Sequence, residues 1–190
     1  MILLARHGET AWNAIGRLQG HTDVELNATG RAQARALAGA LAAAELAEVW
    51  TSDLARARET GAIVAAELGL APPRVDAELR ERKFGVFEGL TRDEIAERYP
   101  DAWRAWTRAT EHPPGGEPRA DATARMSRAL ARVRADARGH VLVVSHGGVM
   151  RLWLSDLTGT AIPPVGNGIV YDLDHDGTRF TARPRARDSE

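Results

Sequence analysis

Cysteine is missing from the chain, which removes disulfides, thiolate nucleophiles and cysteine-based zinc sites together. Lysine is nearly missing: among 25 basic side chains only Lys83 is one, an arginine and alanine bias that reads as genome composition rather than function. A surplus of either charge is missing too. With 25 basic and 26 acidic groups the net charge is −1, so no global field favours nucleic acid or an anionic membrane. No stretch approaches the ~18–20 apolar residues that span a bilayer, and no basic leader precedes an apolar segment at the start. The expectation is a soluble, cytoplasmic protein with neither nucleic acid nor membrane as partner. Internal repeats and a dividing linker are also lacking, and 190 residues with 44% hydrophobic side chains suit one domain with a sizeable core.

Against these absences stand two matching segments. The apolar run Met1–Ala5 reads as a buried strand and delivers Arg6-His7-Gly8-Glu9-Thr10; the run Val141–Val144 delivers Ser145-His146-Gly147-Gly148. Each histidine thus sits at the carboxyl tip of a strand and is followed by glycine. In open α/β sheets ligands bind beyond the carboxyl ends of strands. Two imidazoles meeting there beside Arg6 point to a site for an anion.

The rest of the chain alternates strand and helix patterns, which argues for a single-domain, three-layer α/β/α architecture with a mainly parallel sheet. A polar, glycine-dotted loop covers residues 8–26. A helix starts near Asn27, with Ala34, Leu37, Ala38 and Leu41 spaced as a core-facing stripe. Glu48–Thr51 reads as a strand, Ser52 or Asp53 as the cap of a helix carrying Ile63, Val64 and Leu68, and Arg74–Ala77 as a third strand. Thr91-Arg92-Asp93-Glu94 matches a capping box for a helix ending near Pro100. Residues 112–119 form a rigid loop, Asp121 caps a helix with Met126, Leu130, Val133 and Ala137 inward, and a further helix spans about Gly148–Leu157. Ile169–Leu173 and Thr178–Ala182, joined through Asp176-Gly177, read as a closing hairpin, and 183–190 as a frayed tail beyond a domain of residues 1–182. His7, Arg56, Glu81 and His146 then all project from one edge of one sheet.

Those groups suit a phosphate monoester. Arg6 and Arg56 offer forks for the phosphoryl oxygens. A neutral imidazole, its other ring nitrogen held by a carbonyl or carboxylate, can attack phosphorus and split one hard step into two. The leaving alkoxide needs a proton, for which Glu81 is the placed carboxyl. No cluster of Asp, Glu and His has metal-ligand spacing, so neither metal nor cofactor is called for. Each piece alone has a plainer reading: a strand-end histidine as a hydrogen-bonding cap, Arg56 and Arg58 as a surface pair, Glu81 as part of a solvated charged run. His21, His112, His140 and His175 keep such structural readings. The agreement of several placements on one sheet edge outweighs them.

Arg6-His7-Gly8-Glu9-Thr10 with Trp12-Asn13 resembles the signature of the histidine phosphatase superfamily, phosphoglycerate mutase-like branch. The match continues through Leu18–Leu26 to Gly30, through Ser52–Thr60, Leu79-Arg80-Glu81, Phe84-Gly85 and Glu88-Gly89-Leu90, and ends at Ser145–Gly148. The resemblance implies His7 as the phosphorylated nucleophile, with Arg6, Arg56 and His146 on the phosphoryl group and Glu81 as proton donor. It implies Asn13, Gln19, Gly20 and the Gly147 backbone as pocket lining. Arg56 is chosen over Arg58 because it lies four residues before Thr60. Dimers are common among similar proteins, so a homodimer is compatible with this reading.

The family divides between phosphatases and cofactor-dependent phosphoglycerate mutases, which must grip a second anionic end and exclude water. Mutases usually carry asparagine where this chain has Gly148, a Trp-Arg-Arg run where it has Trp103-Arg104-Ala105, lysine for Arg92 and tyrosine for Phe84; Glu117-Pro118 also departs from the usual Gly-Glu-Ser. Arg92 and Arg104 stay as substrate-binding candidates. Trp12, Trp103, Trp106 and Arg104 are expected to shape the pocket mouth, with residues 91–119 covering the site as a lid. The expectation is a metal-independent hydrolase of a small phosphomonoester, with a mutase as the alternative and a non-catalytic phosphate-binding protein behind it.

Overall fold

The computed structural model describes residues 1–185. Its frame is a six-stranded sheet in the order β3-β2-β4-β1-β5-β6, with β1 at Ile2–Arg6, β2 at Leu46–Thr51, β3 at Arg74–Val75, β4 at His140–Ser145, β5 at Val170–His175 and β6 at Phe180–Pro184. The first four strands are parallel, and β5 and β6 are antiparallel to their neighbours. Strands buried on both faces carry continuous apolar runs. Along β1 and β4 alternate residues accordingly serve opposite cores: Leu4 and Val143 meet Met126, Leu130 and Met150 on one face, while Leu3 and Leu142 meet Leu37, Val49 and Val64 on the other.

The first core is covered by α6 (Arg119–Asp136) and α7 (Gly147–Thr158), and the second by α2 (Ala28–Ala40) and α3 (Ala55–Glu67). A third, smaller cluster joins Phe84, Phe87 and Ile95 to Trp103 and Trp106. It seats α4 (Arg92–Arg98) and α5 (Pro100–Thr107) over residues 84–90. The Thr91–Glu94 capping box is present.

Several expectations need correction. A helix follows where one was expected only to end, because Pro100 takes the first helical position, where its missing N–H costs nothing. A four-residue helix, α1 (Ala11–Ala14), interrupts the 8–26 loop. Neither Ser52 nor Asp53 is the N-cap of α3, which starts after Leu54; Asp23 instead accepts from the Ala55 N–H at 2.7 Å, and Asp53 is drawn off by Arg80. Asp121 lies within the first turn of α6 rather than capping it. The third strand is only Arg74–Val75. Nor is the chain frayed from residue 183: β6 runs to Pro184, and the Arg185 N–H donates to the Val170 carbonyl at 2.9 Å while its guanidinium meets Asp172 at 2.8 Å. Residues 186–190 of the expected tail lie outside the described residues.

The chain after β1 passes so close to α2 that a Cβ on Gly30 would overlap the Glu9 backbone. Main-chain atoms cannot swing aside as a side chain can. Gly30→Ala should therefore destabilise by about 1–3 kcal/mol through overpacking, outweighing the gain in helix propensity of up to ~1 kcal/mol. A fall in Tm of about 5 °C by circular dichroism is expected; an unchanged or higher Tm would contradict the close approach.

Candidate active site

In-register pairing of β1 with β4, Arg6 opposite Ser145, sets His7 and His146 side by side with ring centroids 5.0 Å apart. His7 Nδ1 lies 2.6 Å from the Gly8 carbonyl. That oxygen can only accept, so Nδ1 carries the proton and Nε2 keeps its lone pair. Burial, with Arg6 and Arg56 nearby, holds the His7 pKa well below the usual imidazole range. His146 is held low as well, by burial first and then by Arg56. Both rings are neutral near pH 7.

The arginines are similarly desolvated. Arg56 is 1% exposed and its pKa is lowered to about 10 by burial; Arg6 is lowered for the same reason. Both remain cations at neutral pH. Arg56 donates to the carbonyls of Gly20 and Thr22, and Arg6 to that of Val165. Yet Arg6 Nε, Arg56 Nε and His146 Nδ1 are buried without an acceptor. Buried donors without partners are rare in folded proteins. Three of them around one neutral histidine make a cradle for an oxyanion.

Thr60 explains the Arg56 spacing physically. Its hydroxyl donates to the Arg56 carbonyl at 2.7 Å and accepts from the Gly8 N–H at 3.0 Å, tying the arginine's helical turn to the loop after His7. Arg58 faces solvent.

A cavity of about 670 Å³ opens over this cradle. The expected residues Arg6, His7, Asn13, Gln19, Gly20, Arg56, Glu81, Arg92 and Gly147 all line it, whereas His146 is fully buried beside it. Asn13 uses its side-chain oxygen in the α1 capping box. The Glu81 carboxylate accepts from the N–H groups of Arg82, Gly148 and Val149 at 2.7–2.8 Å, resting on the first turn of α7. A Cβ on Gly148 would come within 2.6 Å of that carboxylate, so glycine there makes room for Glu81.

Two rim expectations fail. Arg104 turns outward and pairs with Asp101 one turn back on α5, since the buried side of that helix is taken by its tryptophans. Trp12 is not part of the wall; its ring lies near Gly89, where it would meet an added Cβ. Trp103 and Trp106 do form wall, as does His112, for which the sequence suggests only a structural role.

Other supporting residues escaped that reading. Asn167 donates to the His7 carbonyl, and Glu88 gathers the N–H groups of His21, Thr22 and Phe84. The Ser52 hydroxyl, assigned as a helix cap, lies 2.6 Å from His146 Nε2 and accepts weakly from Leu54 N–H. Donation of its own hydrogen to Nε2 would leave the His146 proton on Nδ1. For Ser52 the signal was its position after a strand beside those ending in histidine.

The sequence model of the histidine phosphatase superfamily (branch 1) matches residues 2–183, and the chain belongs to that family. A metal-independent phosphoserine phosphatase of Arabidopsis thaliana is 40% identical over 156 residues, covering 79% of this chain and 65% of that protein. A 2,3-bisphosphoglycerate-dependent phosphoglycerate mutase of Methylobacterium radiotolerans is 36% identical over 196 residues, covering 94% and 92%. The structure of mycobacterial glucosyl-3-phosphoglycerate phosphatase with VO3 superposes with a TM-score of 0.87 at 32% identity, covering 96% of each chain. Among the described residues no helix is long and apolar enough to cross a membrane.

Two measurements test this geometry. Ser52→Ala should lower kcat about 10-fold, as expected for one lost hydrogen bond of about 1.4 kcal/mol. 15N NMR should find the wild-type His146 proton on Nδ1; finding it on Nε2 would contradict the role given to Ser52. Acid stability is the second. Because both histidines have folded pKa values far below their unfolded value of about 6.5, the unfolded chain binds more protons below that pH. The stability is full above pH ~6.5 and is lost as pH falls toward the folded pKa values, at up to about 1.4 kcal/mol per pH unit per histidine. Urea unfolding between pH 7 and 5 in phosphate-free buffer should show a shallower loss for His7→Asn than for wild type; equal slopes would refute a neutral His7.

Proposed function

We propose that the protein is a metal-independent phosphomonoester hydrolase acting through a phosphohistidine on His7. The observation that carries this reading is the free Nε2 of a neutral His7 amid three buried donors without acceptors. The phosphoryl oxygens take up Arg6, Arg56 and His146 Nδ1. Nε2 attacks phosphorus in line as the bond to the leaving oxygen breaks, and Glu81 supplies that oxygen's proton. Water then attacks the phosphohistidine, Glu81 takes the proton back, and inorganic phosphate leaves with His7 restored. Arginine forks and preorganised N–H donors carry the charge stabilisation that this chemistry needs.

The mutase-type relative, which aligns over nearly the whole chain, keeps isomerisation as the second reading. Against it stand Gly148 and Arg104. Glycine at 148 offers no side chain to a second anionic group, and Arg104 points away from the cavity. A grip on the far end of a bisphosphate is therefore weak, and an open cavity of about 670 Å³ leaves water a path to the phosphoenzyme. Asn13, Gln19, Gly20, Gly147 and Arg92 are substrate contacts in this reading.

The test runs both reactions. 3-Phosphoglycerate with catalytic 2,3-bisphosphoglycerate should yield little 2-phosphoglycerate in an enolase-coupled assay, while a panel of phosphomonoesters releases phosphate, undiminished by EDTA. Rapid quench should trap an acid-labile, base-stable phosphoenzyme that His7→Ala abolishes along with turnover. Fast isomerisation with negligible phosphate release would reverse the choice.

A further inference from the structure

Arg125 lies on the inward face of α6 between Ala122 and Met126, where an apolar side chain would be expected. Its guanidinium uses all five of its N–H donors. Nε donates to Glu117 Oε1 at 2.7 Å and Nη2 to Glu117 Oε2 at 2.9 Å, a bidentate pair. The other three bonds go to main-chain carbonyls of one short segment: Glu78 at 2.8 Å, Arg80 at 2.6 Å and Glu81 at 2.8 Å. Both partners of the ion pair are largely buried, at 11% and 16% side-chain exposure. Burial alone would raise the Glu117 pKa, and pairing with Arg125 outweighs it and holds the carboxyl below its usual value.

The segment so gripped begins in the single 3-10 turn Ala77–Leu79 and runs on into residues 80–84, which belong to neither helix nor strand. It nevertheless presents two adjacent side chains to the cavity, Glu81 and Arg82. Glu117 serves both. Its carbonyl accepts from Arg82 Nε at 2.8 Å, and its N–H donates to the Lys83 carbonyl at 2.9 Å. His21 adds a second donor on the Glu81 carbonyl, at 2.8 Å. One end of Glu81, the carboxylate, is fixed by α7; the other end, its main chain, is fixed by the Arg125–Glu117 pair.

We propose that Arg125, locked by Glu117, is a positioning residue for Glu81: it holds the main chain of residues 78–81 so that the carboxyl stands where a leaving oxygen receives its proton. The inference rests on the hydrolase reading with Glu81 as proton donor. A misplacement of about 1 Å can cost on the order of 100-fold in rate. Such a loss falls on the protonated leaving group, whereas a purely structural clamp would lower activity toward every substrate alike.

The experiment compares an alkyl phosphate, whose leaving oxygen needs a proton, with p-nitrophenyl phosphate, whose phenolate leaves with little help. Arg125→Met with Glu117→Gln removes both buried charges together, and its melting curve reports folding. Relative to wild type, kcat on the alkyl ester should fall at least about 10-fold further than on p-nitrophenyl phosphate, with KM little changed. In a Glu81→Gln background the same pair should cost the two esters equally. If the double variant does not fold, Arg125→Lys is measured by the same ratio and should fall on the alkyl side. Equal losses on both esters, or an undiminished selective loss in the Glu81→Gln background, would overturn the role of Arg125. A wild-type enzyme that releases phosphate from neither ester would instead overturn the hydrolase reading, and this proposal with it.

Discussion

The parallel pairing of β1 with β4 is the contact on which everything else in the site hangs. Neither strand can leave the centre of the sheet, because each is apolar on both faces and flanked on both edges. A one-residue slip would exchange the side chains of the two cores, each packed for its own set of neighbours. The two histidines just past the last paired residues are therefore neighbours by construction, 5.0 Å between ring centres. An imidazole pair placed this way needs no flexible loop to bring it together.

The site's electrostatics follow from where that pairing lies. Strand ends in the middle of a covered sheet are dry, so burial lowers the pKa of all four groups, Arg6, Arg56, His7 and His146. For the histidines this preserves a lone pair on His7 Nε2 and a neutral ring beside it. For the arginines it leaves cations with incompletely satisfied N–H groups. Such desolvated donors interact strongly with an anion, because no water shell has to be stripped from them when it arrives.

Around this centre lies a layer of residues that aim the others. Thr60 ties Arg56 to Gly8, Ser52 hydrogen-bonds His146 Nε2, Asn167 holds the His7 carbonyl, and Glu88 knits residues 21–22 to Phe84. Thr60, Ser52 and Asn167 act through one or two hydrogen bonds each, and Glu88 through three to main-chain N–H groups. Arg125 belongs to the same layer with five. Supporting contacts of this kind decide whether a set of catalytic groups is merely assembled or held at working geometry.

The local sequence determined much of this by itself. The apolar runs marked β1 and β4, the 3.6-residue spacing marked α2, and the Thr91–Glu94 box marked the start of α4. Chain position at strand ends was enough to bring His7, Arg6, Arg56, Glu81 and His146 into one group, because a parallel sheet collects its carboxyl ends on one edge. What only the tertiary structure decided were contacts between residues far apart in the chain. Ser52 looked like a cap for the helix beside it, but Asp23 took that role and left its hydroxyl to His146. Arg104 and Trp12 matched a pocket rim by sequence, and packing turned both away. Arg125 is an arginine on an apolar helix face, and its meaning depends on carbonyls more than forty residues earlier in the chain. Local spacing specifies which face of an element a side chain occupies; which distant groups share that space is settled only when the elements pack.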